Sequence, residues 1–262
     1  MSGNDKKIGT TVPSGKTVIV AAETRSGSNY LCALMEKTGK LGNPQEYFSP
    51  HIVIDHAVTI AEQYRVALEQ GMTANGILSI KLFAHHLDRI HKKKYRFSEL
   101  FPTRIWVWLR RRDLLAQAIS RTIALQTRSW HGKMDSECMP SYSRKAIMRS
   151  LRYIIIAEAR WKIFFIRNNI QPLVLWYEDL IIDPADTIMQ ISSFIGVEMK
   201  PLEINTSVHT SIQRTDINEE WKNRFISEAT SVDYLDLLWR GNNHARTLGN
   251  FCKFISGKLP CP

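Results

Sequence analysis

The chain has 262 residues, 44% of them hydrophobic, with a formal net charge of +10 and a mean hydropathy of -0.22. That length and balance fit a single domain spanning 1–262 with a substantial core, and no apolar run approaches the ~20 residues needed to cross a bilayer. The four cysteines (Cys32, Cys138, Cys252, Cys261) are too scattered for a disulfide framework or a thiolate metal site, while the charge calls for a polyanionic ligand, nucleic acid or phosphorylated nucleotide alike.

Met1–Lys16 is polar and lacks the apolar stretch of a secretion signal, so residues 1–16 read as a flexible tail on a cytoplasmic protein. The run Val18–Ala22 predicts a strand over 17–22, then a loop over 23–28 and a helix from about 28 to 38, ending near Gly39. Pro44-Gln45-Glu46-Tyr47-Phe48 is a loop whose proline and aromatics hold it against the core. A helix over roughly 56–70 stops before Gly71, and Gly76–Phe83 reads as a second strand leading into a helical stretch that reaches Ile90. Arg104–Leu109 (RIWVWL) is a third strand of bulky β-formers, and Asp113 caps a helix running to about Arg128. Leu151, Ile155, Ala159 and Phe165 have helical spacing within a helix over Ile147–Asn168. Pro172–Tyr177 makes a fourth strand, and Asp183-Pro184 opens a helix that stops at Gly196. Residues 197–262 are less regular, with one helix expected near 217–229 and a basic tail from Arg240.

Strands alternating with helices in this way form an α/β fold, a central, mainly parallel sheet flanked by helices, with ligands bound beyond the carboxyl ends of the strands. Three segments at that edge have unusual polar content: Glu23–Ser28, Lys81 near the end of the second strand, and Arg110–Asp113. A strand that breaks into Arg25-Ser26-Gly27-Ser28 and re-forms as a helix has the design of a phosphate cradle, since the helix N-terminus offers unpaired N–H groups and Gly27 permits a tight turn. The other reading of that turn is an ordinary strand-to-helix connection with a serine cap. Three basic or cradle features on one edge favour the nucleotide.

Ser14-Gly15-Lys16-Thr17 precedes the first strand and has Thr10 where a triphosphate-binding loop needs glycine, and G-x-G-x-x-G is absent. Triphosphate hydrolysis and dinucleotide binding are thereby disfavoured. His51, His56, His85, His86 and His91 lack metal-ligand spacing, so no metal is expected. The sharpest basic cluster, Arg110-Arg111-Arg112, follows a hydrophobic strand, and no zinc-finger, basic-zipper or RNA-binding signature accompanies it.

Five segments, in order and spacing, resemble the sulfotransferases that use 3'-phosphoadenosine 5'-phosphosulfate (PAPS), in particular the bacterial Stf0 type. They are Thr24-Arg25-Ser26-Gly27-Ser28, Pro44-Gln45-Glu46-Tyr47-Phe48, Lys81-Leu82, Arg111 with Gln117-Ala118-Ile119-Ser120, and Gln126-Thr127-Arg128, within roughly residues 18–195. The family usually has Thr where Asn29 stands, and Asn retains the ability to donate. The C-terminal third matches loosely, around Gln213-Arg214 and Glu220-Trp221.

The resemblance implies a P-loop-NTPase-like sulfotransferase fold and transfer of a sulfuryl group from PAPS to a hydroxyl of a carbohydrate or glycolipid, trehalose being one family acceptor. It implies that Arg25, Ser26, Gly27, Ser28 and Asn29 grip the 5'-phosphosulfate, with Arg25 also stabilising the transferred group. Arg111 and Ser120 would hold the 3'-phosphate, and Arg214 would contribute to the nucleotide pocket. Glu46 is the expected general base. Lys81 would neutralise charge in the cleft, or would snorkel from its strand end. Trp176-Tyr177-Glu178-Asp179-Leu180 resembles a sulfotransferase strand end with a supporting role, and Arg110 and Arg112 read as surface residues. The same resemblance implies no metal and a homodimer. The rival readings are a non-catalytic polyanion- or nucleotide-binding protein of this fold, and a nucleic-acid-binding protein.

Overall fold

Thr17–Ala22 forms β1, a strand whose residues are all buried, which suits only a central strand covered on both faces. A computed structural model describes residues 15–51, 54–93, 95–128, 139–200 and 216–228. The chain divides into two units, Met1–Lys222 and Asn223–Pro262. The first holds the sheet; the described part of the second is the end of a helix, with an Arg224–Glu228 ion pair.

After β1 the first unit continues with α1 (Ser28–Lys37), α2 (Ile60–Gln70), β2 (Leu78–Phe83), α3 (Ala84–Lys92), α4 (Phe97–Leu100) and β3 (Arg104–Arg110). Then come α5 (Leu114–Thr127), α6 (Arg144–Arg167), β4 (Leu173–Trp176), α7 (Tyr177–Ile182) and α8 (Pro184–Ile195); α9 (Asp216–Ser227) runs into the second unit. The sheet order is β2-β1-β3-β4 and every pairing is parallel, with Val20 opposite both Lys81 and Val107. This is an α/β architecture, a central parallel sheet flanked by helices.

Side chains alternate between the sheet faces with the two-residue period of a strand. Ile19 and Ala21 join Ile80, Leu82, Trp106 and Trp108 beneath residues of α2, α3, α4 and α6. Val18, Val20 and Ala22 join Val107, Leu109 and Leu175 beneath α1, α7 and α8. Trp161 of α6 stacks on Phe165 and donates its indole N–H to the Ala22 carbonyl at 3.2 Å, pinning the carboxyl end of β1.

Several boundaries differ from the sequence expectation for local reasons. α2 begins at Ile60, not near 56, because Asp55 and His56 are left-handed and Thr59 forms a capping box with Glu62. α6 begins at Arg144 behind a Ser143 cap. β2 starts at Leu78 rather than Gly76, and β4 ends at Trp176 because Tyr177 turns into α7. The short helices α4 and α7 have too few residues to show a period. Lys81 lies two residues before the end of β2, on the face that carries Phe83 and looks toward α1. Among the described residues no helix is long and apolar enough to cross a membrane.

Candidate functional site

The chain leaves β1 for β2 on one side and returns to β3 on the other, so the sheet's topological switch point lies at the carboxyl end of β1. There the backbone turns sharply. Arg25 has φ 64° and Gly27 φ 87°, and left-handed backbone costs an L-residue about 1–2 kcal/mol. A Cβ on Gly27 would sit 2.4 Å from Cδ2 of Tyr177, so glycine is required for space as well as for φ. α1 then starts at Ser28 with no side-chain cap and no acidic residue in its first turn. Its N-terminal N–H groups and positive dipole end are thus left for an anion. The Ser26 and Thr24 hydroxyls are buried, with no hydrogen-bond partner among the described residues.

Other elements hold this turn from outside. Arg25 Nε donates to Ser120 Oγ at 2.8 Å, and Gln117 Nε2 donates to the Thr24 carbonyl at 2.9 Å, both from α5. Arg111 donates to the Arg25 carbonyl at 3.2 Å and lies over the Tyr177 ring at 4.6 Å. Arg111 and Ser120 therefore converge, each through Arg25. Burial, then repulsion from Arg111, lowers the Arg25 guanidinium pKa from its ordinary value. Two cations held together beside an uncapped helix terminus favour an anion between them.

The neighbouring arginines have other tasks. Arg110 makes two hydrogen bonds to Glu158 between the rings of Trp108 and Trp176. Arg112 does the same with Asp179, while Glu178 accepts from the Arg112 and Asp113 N–H groups. Within the Trp176–Leu180 segment, Tyr177 thus packs against the Gly27 turn and Asp179 neutralises Arg112.

Glu46 reaches the site from outside the sheet. Gln45 forms a parallel bridge with Ile80 and accepts the Lys81 N–H at 3.0 Å, while Tyr47 and Phe48 are buried in the core. Glu46 is thereby held beside Lys81, whose Nζ lies 2.9 Å from Oε1. The same Nζ donates to Asn29 Oδ1 at 2.5 Å. Since lysine only donates, Asn29 must turn its oxygen toward it and its NH2 group away. The Lys81 side chain is 5% exposed, so it does not snorkel. A carboxylate with one oxygen held in this way can take a proton from a hydroxyl delivered to the cleft.

Two residues here escaped the sequence reading. His86, on α3, accepts the Phe83 N–H on Nδ1 at 3.3 Å and places Nε2 4.0 Å from Glu46 Oε2. Burial first, then His85 and Lys81, push its pKa down to about 2, so the ring is neutral. Glu23, at the start of the cradle turn, accepts the Ala84 N–H at 3.2 Å through Oε1. Its Oε2 is buried with no partner among the described residues, and burial raises its pKa to about 7. His86 was visible only as one of a histidine pair, and Glu23 only as a polar residue after a strand. Arg214 lies outside the described residues, as do Cys138, Cys252, Cys261 and the tail from Arg240. Among the described residues no three His, Cys, Asp or Glu side chains gather as a metal-binding group.

A family model described as Stf0 sulphotransferase matches residues 17–228. The chain is 24% identical over 258 residues to trehalose 2-sulfotransferase of Mycobacterium tuberculosis, covering 80% of this chain and 94% of that one. It is 23% identical over 257 residues to the protein of that name from Mycolicibacterium smegmatis, with the same coverage. Among solved structures it is similar to the sulfotransferase domain of the Synechococcus PCC 7002 olefin synthase, at 17% identity and TM-score 0.44, covering 97% of this chain and 98% of that domain.

Proposed function

We propose a donor, an acceptor class and a base for this chain, which belongs to the Stf0 sulphotransferase family: it moves the sulfuryl group of PAPS to a hydroxyl of a carbohydrate or glycolipid, with Glu46 accepting the hydroxyl proton. The observation that carries the donor is the cradle. An uncapped helix terminus, a glycine without room for a Cβ, a buried Ser26 hydroxyl with no partner among the described residues and two adjacent arginines all suit a phosphosulfate. Bound there, PAPS supplies an activated sulfuryl group.

Arg25, Ser26, Gly27, Ser28 and Asn29 surround the 5' end of the donor in this reading. Arg111 and Ser120 take the 3'-phosphate, where a planar guanidinium fork suits phosphate oxygens. Lys81 is the cation between donor and acceptor, in reach of both Asn29 and Glu46. Attack forms the bond from acceptor oxygen to sulfur and breaks the bond from sulfur to the phosphate oxygen, and the acceptor proton passes to Glu46. The carbohydrate class rests on likeness to the two trehalose 2-sulfotransferases and trehalose is its first test compound. Neutralisation of Arg110 and Arg112 by Glu158 and Asp179 speaks against a basic stripe for nucleic acid.

Calorimetry with 3'-phosphoadenosine 5'-phosphate and with adenosine 5'-phosphosulfate tests the donor. Tight binding of the first, weak binding of the second, and a ~10- to 100-fold loss of the first in Arg111→Ala are expected, as for removal of charged hydrogen bonds. Equal affinity for both nucleotides would overturn the assignment.

A further inference from the structure

We infer that His86 is a positioning residue for Glu46: a neutral imidazole that presents its Nε2–H to one carboxylate oxygen while Lys81 holds the other. The inference rests on the proposed role of Glu46 as base. It starts from a question of tautomer. Nδ1 accepts the Phe83 N–H, so it carries no proton, and in the neutral ring the proton sits on Nε2. Nε2 is the nitrogen facing Glu46 Oε2, at 4.0 Å. Contacts of this kind are often long before substrate loads and tighten in the complex.

The ring has little freedom to do otherwise. It is 1% exposed, lies on the Phe83 ring with centroids 5.2 Å apart, and meets His85 edge-on at 4.3 Å. Its position at the third residue of α3 ties it to the end of β2, the strand that carries Lys81. One strand and the helix that follows it therefore deliver both partners of the carboxylate.

The charged and titratable groups around the ring are Lys81 from β2, His85 and Arg89 from α3, His51 from the segment after Glu46, and Glu46 itself. All except Glu46 oppose a positive charge on His86, so the ring serves as a fixed dipole. With Oε1 taken by Lys81 and Oε2 by His86, the carboxylate plane is set, and its remaining lone pairs are available to the acceptor hydroxyl.

Two measurements test this. Long-range nitrogen–proton correlation spectra of histidine-labelled protein report the tautomer without any activity. The expected result is a neutral His86 with its proton on Nε2 from about pH 5 to pH 9, and a change in the Nε2 resonance in Glu46→Gln. An imidazolium, or a proton on Nδ1, would overturn the inference while leaving the donor assignment intact.

The second measurement is the pH profile of kcat/KM for the acceptor in His86→Phe and His86→Gln. Phenylalanine keeps the ring stack and removes the donor; glutamine places an amide N–H near Nε2. His86→Phe should lose about tenfold in kcat/KM, less than the ~100-fold lower end for loss of the proton-transfer group itself, with the acid limb moved to higher pH and donor KM unchanged. His86→Gln should recover the wild-type limb. Equal profiles in wild type and His86→Phe would reduce His86 to a helix cap, and a limb displaced as far in His86→Gln as in His86→Phe would overturn the role of an N–H donor at this position. Should the phenylalanine variant fail to fold, the tautomer spectra of the wild type and Glu46→Gln decide the same point.

Discussion

The turn after β1 and the loop that carries Glu46 meet at Lys81, and they are built in opposite ways. The turn is local: Arg25 and Gly27 take left-handed backbone, α1 follows at once, and the anion-facing groups come from consecutive residues. The Glu46 loop has no such internal logic. It is placed by a backbone bridge to β2 and by burial of Tyr47 and Phe48, and its carboxylate finds Lys81 on another stretch of chain, with His86 Nε2 4.0 Å away. A strained local turn is sensitive to backbone changes, whereas a site assembled at a distance is sensitive to its side chains.

Substitutions can break that contrast. Gly27→Val should be the most damaging, because it adds the left-handed penalty to overpacking against Tyr177, together roughly 2–5 kcal/mol. Urea unfolding should show the loss, and calorimetry should show no binding of 3'-phosphoadenosine 5'-phosphate. A stable valine variant that still binds would mean that the turn does not seat the anion. Glu46→Gln leaves the backbone untouched and should separate the two regions cleanly. Turnover is expected to fall by ~100- to 10,000-fold, the range for a lost proton-transfer group, while affinity for the nucleotide stays unchanged. Weakened nucleotide binding in that variant would instead make the Glu46 loop part of the donor seat.

The smallest effect concerns Glu23, which belongs to the cradle by sequence but has its hydrogen bond with α3. Its folded-state carboxyl titrates near 7 against an ordinary 4.5, through burial, so the native state holds its proton more tightly than the unfolded chain. The resulting stability is complete below about 4.5 and is lost as the pH rises through about 7, amounting to ~3 kcal/mol at ~1.4 kcal/mol per pKa unit. Glu23→Gln should match the wild type near pH 4.5 and exceed it in urea midpoint at pH 8. A constant difference between the two across that range would mean that Glu23 is already ionised in the fold.

The same contrast explains what could be read in advance. The turn after β1, the succession of strands and helices and the anchoring of the Pro44–Phe48 loop by Tyr47 and Phe48 were legible because a βα turn, a hydrophobic run and an aromatic pair act through their neighbours. The three arginines Arg110, Arg111 and Arg112 at the end of β3 were harder. Arg111 and its flanking residues look alike in sequence, and the resemblance alone set Arg111 apart; the ion pairs of Arg110 with Glu158 and of Arg112 with Asp179, far along the chain, could not be read there. The pairing of Lys81 with Glu46 was not foreseen: the resemblance implied only a cation in the cleft, and no spacing links the two residues. His86 was missed because its role depends on which ring nitrogen the Phe83 N–H occupies, and no sequence pattern encodes that.

The parallel order β2-β1-β3-β4 also sets a timetable for a chain made from its N-terminus. The cradle residues are made before every element they pair with, so β1 has no hydrogen-bonded neighbour until Leu78–Phe83 is available, and Arg25 has no hydroxyl to grip until Ser120 follows. Tyr177, against which Gly27 packs, comes later still. Such long-range pairings close slowly. The earliest-made part of the site is thus the last to take shape, and until then the nascent chain carries an apolar strand and an open glycine turn for others to shield.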